Sequence, residues 1–427
     1  MAQDTLFDIE AEPSIPPQDC RWSWVQVDLD AIRFNTATAK RLVGNRRLLA
    51  VVKADAYGHG APEVAQAALG AGADYLGVAT VLEGVALRKA GITAPILILS
   101  EPPRTAIPLL VHFHIMPAVY TMDFALEYAE AADQAGLMAP FHLAVNTGMN
   151  RIGVRWDEVA EFMRSLAFHR AVSLVGTFTH FATADEPQSP DYQIQVRRFA
   201  GAINALSQAG ISPGIVHCAN TAATLRFPDV HCDMVRFGVG LYGLHPCPET
   251  RRLVELRPAM SVKARITDVR QPAMGEGVSY GMHYRTDGSV YICTIPVGYA
   301  DGLARVLSDR IDVLWNGRRC PQVGNICMDQ CMFEVDVRGS GVGFFTGSGA
   351  PGTSSGAFGT APGGSFGSSS LGFGAKAGAV PQIGDEVVLV GRQGDEVITL
   401  DDLAAKEATI HYEVACDFGL RMPRVYC

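Results

Sequence analysis

Eight short apolar runs recur between Arg47 and Gly238 of this 427-residue chain: 48–53 (LLAVVK), 75–79 (YLGVA), 96–99 (ILIL), 115–119 (IMPAV), 141–146 (FHLAVN), 174–180 (LVGTFTH), 215–218 (IVHC) and 234–237 (MVRF). Continuously apolar runs of this length mark strands buried on both faces, the pattern of a parallel sheet. Segments of helical periodicity separate them, among them 61–70, 83–89, 123–135, 156–166 and 193–208. Periodicity alone fits an open doubly wound sheet as well as a closed barrel. The count of eight favours an α/β fold of the (β/α)8 barrel type.

After about Leu256 the texture changes to alternating residues with turns at Gly275-Glu276-Gly277, Asp287-Gly288, Asn316-Gly317 and Gly394-Asp395. Strands are expected over 261–269, 290–296 and 386–390, and a short helix over 400–409 opened by Asp401 and Asp402. The expected organisation is a flexible tail over 1–22, a barrel over 23–256 and a C-terminal mainly-β domain over 257–427. A Gly/Ser-rich insert at about 338–379, nearly free of charge, cannot bury enough surface to offset its ordering entropy and is read as a disordered excursion between two strands.

Net charge is −9, spread along the chain, so no basic face suggests nucleic acid or an anionic membrane. The acidic, proline-containing N-terminus lacks the basic and apolar regions of a signal peptide. No window of about 18 uncharged apolar residues occurs either. The ten cysteines lack the dense spacing of a secreted scaffold and read as reduced thiols of a cytoplasmic protein. Cys327 and Cys331 form only a CxxxC pair, a weak metal signal, and no metal is expected.

The chemistry concentrates where the runs end. Val51 to Gly60 reads VVKADAYGHG, an apolar run closing on one lysine. An amine against apolar walls loses solvation of its charged form and becomes able to form a Schiff base with a carbonyl cofactor. A lysine that closes a strand and snorkels to solvent gives the same local pattern. Other run ends carry Asn146 to Arg151 (NTGMNR), His180, His217 with Asn220-Thr221, and Arg236 before Gly238-Val239-Gly240. Barrel active sites are assembled from residues at the carboxyl ends of different strands.

These segments together resemble the alanine racemases. VVKADAYGHG resembles the family's lysine signature. NTGMNRIG (146–153), FTHFA (178–182), HCANTAAT (217–224) and MVRFGVGLYG (234–243) are similar to its barrel motifs. VSYG (278–281), IPVGYADG (295–302), GNICMDQ (324–330) and HYEV (411–414) are similar to those of its β domain. The resemblance runs from about Val25 to Val425, omitting the tail and the insert.

It implies pyridoxal 5'-phosphate (PLP) held by Lys53, alanine as substrate, and racemisation by two bases, Lys53 on one face of Cα and Tyr280 on the other, supplying D-alanine for peptidoglycan or serving alanine catabolism. His180 would link Tyr280 to Arg236, and Arg236 would meet the pyridine nitrogen. The resemblance places Tyr57, His217, Asn220, Thr221, Gly238, Val239 and Tyr412 around the cofactor. It places Arg151 and Met328 at the substrate carboxylate, and Tyr299, Asp329 and Arg305 at the entrance. It also implies a homodimer in which Tyr280, Tyr299, Met328 and Asp329 serve the partner's barrel. One departure stands out: relatives with a K-V-D-T-G-M run carry a carbamylated lysine that orients the arginine, whereas this chain has Ala144-Val145-Asn146-Thr147-Gly148-Met149. Arg151 is then left to another group, for example an anion such as chloride near Asn146.

Three other readings compete. One is a racemase of broader substrate range. A PLP decarboxylase of the same architecture carries a cysteine-bearing segment where this chain has ICMDQ, and an acidic partner in place of Arg236. A PLP-carrying homeostasis protein is a barrel alone, with no counterpart to the domain that holds Tyr280.

Overall fold

The computed structural model describes residues 15–186, 188–336 and 379–427. The chain forms two compact units, residues 1–262 with 300–303 and 400–427, and residues 263–299 with 304–399.

The first unit is built on β1 (Arg47–Val51), β2 (Tyr75–Val78), β3 (Ile96–Ile98), β4 (Met116–Val119), β5 (Ala139–Asn146), β6 (Val172–Phe178), β7 (Ile215–His217) and β8 (Met234–Phe237). They follow the order β8-β1-β2-β3-β4-β5-β6-β7, and every pairing is parallel. The ring closes between β7 and β8, where Asp233 N–H donates to the Val216 carbonyl (3.0 Å) and Arg236 N–H to the Ala219 carbonyl (2.9 Å). This is a nearly closed eight-stranded barrel, and each expected apolar run supplies one strand. Alternate residues point inward, so Leu49, Val51, Leu97, Met116 and Met234 pack into one interior cluster.

Residues 400–427, assigned from sequence to the β domain, belong to the first unit. Strand Arg424–Tyr426 pairs in parallel with Ser23–Val27, register Val25 to Arg424, and this carries the helix His411–Asp417 into the barrel unit. Within the stretch expected as a tail over 1–22, Pro17–Arg21 is a short helix whose Arg21 forms a bidentate pair with buried Asp301 (2.5 and 2.9 Å).

The second unit is mainly antiparallel. Val290–Ile295 pairs with Asp268–Arg270 and with Cys331–Asp336, and Arg318–Val323 lies between Cys331–Asp336 and Asp312–Trp315. Asn316 and Gly317 (φ 50° and 71°) make the two-residue turn expected of an Asn-Gly pair, because both central positions require positive φ. The strand expected over 261–269 is broken into Met260–Arg265 and Asp268–Arg270. Nearly all of the Gly/Ser-rich insert, 338–378, and the tail residues 1–14 lie outside the described residues. Among the described residues, no helix is long and apolar enough to cross a membrane.

Candidate active site

A cavity of about 790 Å³ opens in the first unit, lined by Lys53, Tyr57, Arg151, His180, Asn220, Thr221, Arg236, Gly238, Val239 and Tyr412 together with residues sequence reading did not single out, among them Ser100, Asp185 and Cys416. All of the lining comes from that unit.

Lys53 does not end the strand as expected. β1 stops at Val51, and Lys53 opens a tight turn in which Ala54, Asp55, Ala56 and Tyr57 all have φ of 51–54° and ψ of 41–53°. This is a left-handed helical turn, which costs L-residues about 1–2 kcal/mol each. Such a conformation persists only where its surroundings over-determine it. Here Ala54 N–H donates to Glu83 Oε1 (2.7 Å), Ala61 N–H to Asp55 Oδ1 (2.8 Å), and Arg424 Nε to the Gly58 carbonyl (2.9 Å). Glu83 Oε2 also accepts from Ala79 and Thr80, closing a capping box on the helix Val81–Lys89. Glu83 and Arg424 are thus positioning residues that sequence reading missed; the sequence signal for Glu83 was the Thr-x-x-Glu box of Thr80.

Gly58 ends the turn at φ +79°, and a Cβ there would lie 2.3 Å from the Ala415 carbonyl oxygen. Gly58→Ala is therefore expected to cost about 3 kcal/mol in chemical denaturation. A loss under about 0.5 kcal/mol would show that the turn is not held as described.

Burial lowers the Lys53 amine from its ordinary value and Arg151 adds to this, while Glu83 and Cys416 oppose it. Tyr57 packs between Tyr242 and Tyr412, with ring centroids 4.8 and 6.2 Å away. Burial pushes both the Tyr57 and Tyr412 phenols upward, so they remain protonated donors. A Cβ on Gly238 would come within 3.1 Å of Tyr57 Oη, so glycine keeps open the space that hydroxyl faces.

Arg236 is 3 % exposed. Its Nη1 donates to His217 Nδ1 (3.0 Å) and the His217 carbonyl (3.1 Å). Its Nη2 donates to the Thr179 carbonyl (2.7 Å), His180 Nδ1 (3.1 Å) and the Cys218 carbonyl (3.2 Å). Among the described residues Nε has no protein partner, and Arg236 lines the cavity. Burial lowers its pKa to about 10, which leaves it charged at neutral pH.

An arginine can only donate, and this fixes the tautomers behind it. His217 Nδ1 must accept, so its Nε2–H donates to His142 Nδ1 (2.8 Å). His142 Nε2 then carries a proton with no hydrogen-bond partner among the described residues. His180 Nδ1 also accepts from Arg236, which leaves its Nε2 protonated. His217, placed from sequence around the cofactor, is fully buried, is not among the residues that line the cavity, and adjoins it through Arg236.

Burial pushes His180 and His142 down to about 3, with Arg236 adding in both cases, and burial pushes His59 down to about 4. The native state keeps these rings neutral, whereas the unfolded chain protonates them below about 6.5. Their stability contribution is complete above that value and is lost as pH falls toward the folded values. Between pH 7 and pH 5 each should cost about 1–2 kcal/mol of denaturation free energy in the cofactor-free protein. An unchanged midpoint over that range would contradict the neutral assignment.

Thr221 Oγ1 accepts from Gly238 N–H (2.9 Å), which occupies the Gly238 donor. Asn220 caps the helix Thr221–Arg226 through Ala223 N–H (3.0 Å). Ala144 is packed with Ala118 and Phe178, while Asn146 Oδ1 accepts from Gly148 and Asn150 N–H (3.1 Å each) and so organises the loop that presents Arg151. Gln195, also missed from sequence, is 2 % exposed and gathers three segments, accepting from Ala182 N–H and donating to Thr147 Oγ1 and the His180 carbonyl.

Tyr280, Tyr299, Met328, Asp329 and Arg305 lie in the second unit. Within it, three separated segments converge: Ser279 Oγ donates to the Asn325 carbonyl (2.6 Å), Asn325 Nδ2 to the Tyr280 carbonyl (2.7 Å), and Tyr299 N–H to the Cys327 carbonyl (3.0 Å). Tyr280 is 71 % exposed and Met328 53 %.

Residues 27–246 match the family model described as alanine racemase, N-terminal domain, and residues 259–347 with 374–426 match alanine racemase, C-terminal domain. The second match skips 348–373, inside the Gly/Ser-rich insert. An alanine racemase from Desulfovibrio desulfuricans is 41 % identical over 406 residues, covering 94 % of this chain and 97 % of that protein. One from Symbiobacterium thermophilum is 40 % identical, covering 95 % and 97 %. The crystal structure of alanine racemase from Bacillus anthracis with bound L-Ala-P superposes with a TM-score of 0.81 at 34 % identity, covering 95 % of each chain. A histidine racemase from Leuconostoc mesenteroides superposes at 0.79 with 26 % identity, covering 95 % of this chain and 98 % of its own.

Proposed function

The chain belongs to the alanine racemase family, and from that premise we propose that it interconverts L-alanine and D-alanine, using PLP held by Lys53, as a homodimer in the cytoplasm. The observation that carries the reading is one cavity that brings a depressed lysine amine together with an arginine whose remaining donor has no partner among the described residues.

The donor set fits PLP. Lys53 offers an amine, Tyr57, Tyr412 and Thr221 offer hydroxyls around the space left open by Gly238, and Arg151 and Arg236 offer cationic donors to an anionic ligand. Bound there, PLP would supply the electron-withdrawing ring that acidifies the Cα–H of alanine.

Arg236 would donate through Nε–H to the ring nitrogen and cannot surrender that proton. A cation that only donates keeps that nitrogen unprotonated and favours rapid return of a proton to Cα over reactions that need longer-lived charge. This separates the reading from a decarboxylase, which requires an acidic partner at the same place. Lys53 Nζ would remove or return the proton on one face. Tyr280 of the partner subunit would do so on the other. His180, neutral and with Nε2–H available, would donate to that phenol and stabilise its ionised form. Arg151 and Met328 of the partner subunit would hold the carboxylate, while Tyr299, Asp329 and Arg305 of the partner subunit would form the entrance.

Shared sites make a mixing experiment decisive. Lys53→Ala and Tyr280→Phe homodimers are each expected to be nearly inactive in forming D-alanine from L-alanine. Mixed and re-equilibrated, they form heterodimers in which one site carries both defects and the other none. Activity should rise toward about a quarter of wild type at equal mixing. No gain after subunit exchange has been verified would exclude a partner-supplied tyrosine. L-Serine and L-histidine, run in parallel with wild type, test broader specificity, and alanine is expected to be turned over fastest.

A further inference from the structure

Behind Arg236, on the side away from the cavity, two cysteines meet across the closing seam of the barrel. Cys218 follows β7 and is 2 % exposed; Cys232 precedes β8, is half-buried, and occupies a left-handed turn position at φ 49°. Their sulfurs are 3.8 Å apart, and Cys218 Sγ also lies 3.2 Å from the Val230 carbonyl. The backbones are already tied alongside by Asp233 N–H to the Val216 carbonyl. A disulfide needs an S–S separation of about 2.05 Å, so closure asks for a sulfur movement of under about 2 Å.

We propose that Cys218 and Cys232 are a peroxide-oxidisable dithiol, with Cys232 as the attacking sulfur and Cys218 as the resolving one. The two differ in the way such a pair requires. Cys232 is the one solvent reaches, and Arg46 lies beside it, with Nε donating to its carbonyl (3.0 Å). The contact with the Cys218 thiol holds the Cys232 thiol below its ordinary value, with Arg46 and Arg236 assisting and burial and Asp233 opposing. The same contact, with burial, pushes Cys218 upward. Thiolate character with access selects the sulfur that reacts first.

The Cys232 thiolate attacks one peroxide oxygen, the O–O bond breaks, and the leaving hydroxide takes a proton to become water. The Cys218 thiol loses its proton and attacks the resulting sulfenic sulfur. The S–S bond forms, the S–O bond breaks, and the second oxygen leaves as water. Two electrons pass from the two thiols to the peroxide. Cys218 adjoins the groups that hold Arg236: its carbonyl accepts from Nη2, and it follows His217, which accepts from Nη1.

The test uses the reduced full-length protein, treated with hydrogen peroxide, alkylated and mapped by mass spectrometry. A Cys218–Cys232 cross-link that dithiothreitol reverses is the expected product. Cys218→Ala should instead trap a sulfenic acid on Cys232 that reacts with dimedone, and Cys232→Ala should leave Cys218 unmodified. Melting curves of both variants, matched to wild type, establish that they fold. If a variant misfolds, the cross-link in wild type still decides the point. Oxidation of Cys232 to sulfinic acid without a cross-link, first reaction at Cys218, or cross-linking only among the exposed Cys20, Cys416 and Cys427 would overturn the assignment.

Discussion

Lys53→Ala is expected to abolish the visible absorbance of lysine-bound PLP and to lower racemisation by at least about 10⁴-fold, because it removes both the attachment point and one of the two bases. The fold should survive. Lys53 is only half-buried, and the turn it opens is held by Glu83, Asp55 and Arg424 through backbone groups that the substitution does not touch. Denaturation midpoints of variant and wild type without cofactor should therefore agree to within about 1 kcal/mol. Lys53→Arg sharpens the interpretation: it keeps a cation in the cavity, yet a guanidinium does not form the covalent link, so absorbance should again be lost. Retained absorbance in either variant would mean that another amine holds the cofactor.

Tyr280→Phe is expected to divide the two half-reactions. Its side chain is largely exposed, so loss of the hydroxyl should leave stability unchanged. Removal of a general acid–base group typically costs 10²–10⁴-fold, roughly, in the proton transfer it serves. Because L- and D-alanine are equal in free energy, kcat/KM must remain equal in the two directions, and the asymmetry has to be sought in exchange at Cα. In deuterium oxide, one enantiomer should still exchange its Cα proton through Lys53 with retention of configuration, while inversion nearly stops. Equal suppression of exchange from both enantiomers would contradict the division of labour between Lys53 and Tyr280.

The barrel was legible because each strand is buried on both faces and so writes itself as an uninterrupted apolar run. The runs at 75–79 and 96–99 need no partner information to be recognised. The limits of the strands were less legible, and the difference bears on the site. The run that ends in Lys53 stops two residues earlier in the structure, because the capping carboxylate of Glu83, thirty residues downstream, takes the Ala54 N–H and turns the chain left-handed. No local pattern of Ala-Asp-Ala-Tyr announces four consecutive positive φ angles, since each residue alone prefers a right-handed conformation. Gln195 was invisible for a related reason. On its helix it is one polar residue among many, and only the fold reveals that it joins His180, Ala182 and Thr147. That residues 400–427 pack with the barrel unit was not legible, because a parallel pairing between Arg424–Tyr426 and Ser23–Val27, some 400 residues apart, leaves no mark in either segment.

The surroundings of His217 were equally hidden: it opens HCANTAAT at a strand end, and only the fold reveals that its imidazole faces Arg236 and His142 inside the barrel. Its effect on chemistry passes through the guanidinium it holds.

The most direct test of the account is to incubate wild-type protein and PLP with L-alanine in deuterium oxide and to follow Cα deuteration by proton NMR and configuration by chiral chromatography, with L-serine and L-lysine as parallel substrates. The account predicts that D-alanine accumulates to equality with L-alanine and carries deuterium at Cα from its first appearance. Absence of Cα exchange with all three amino acids would contradict it.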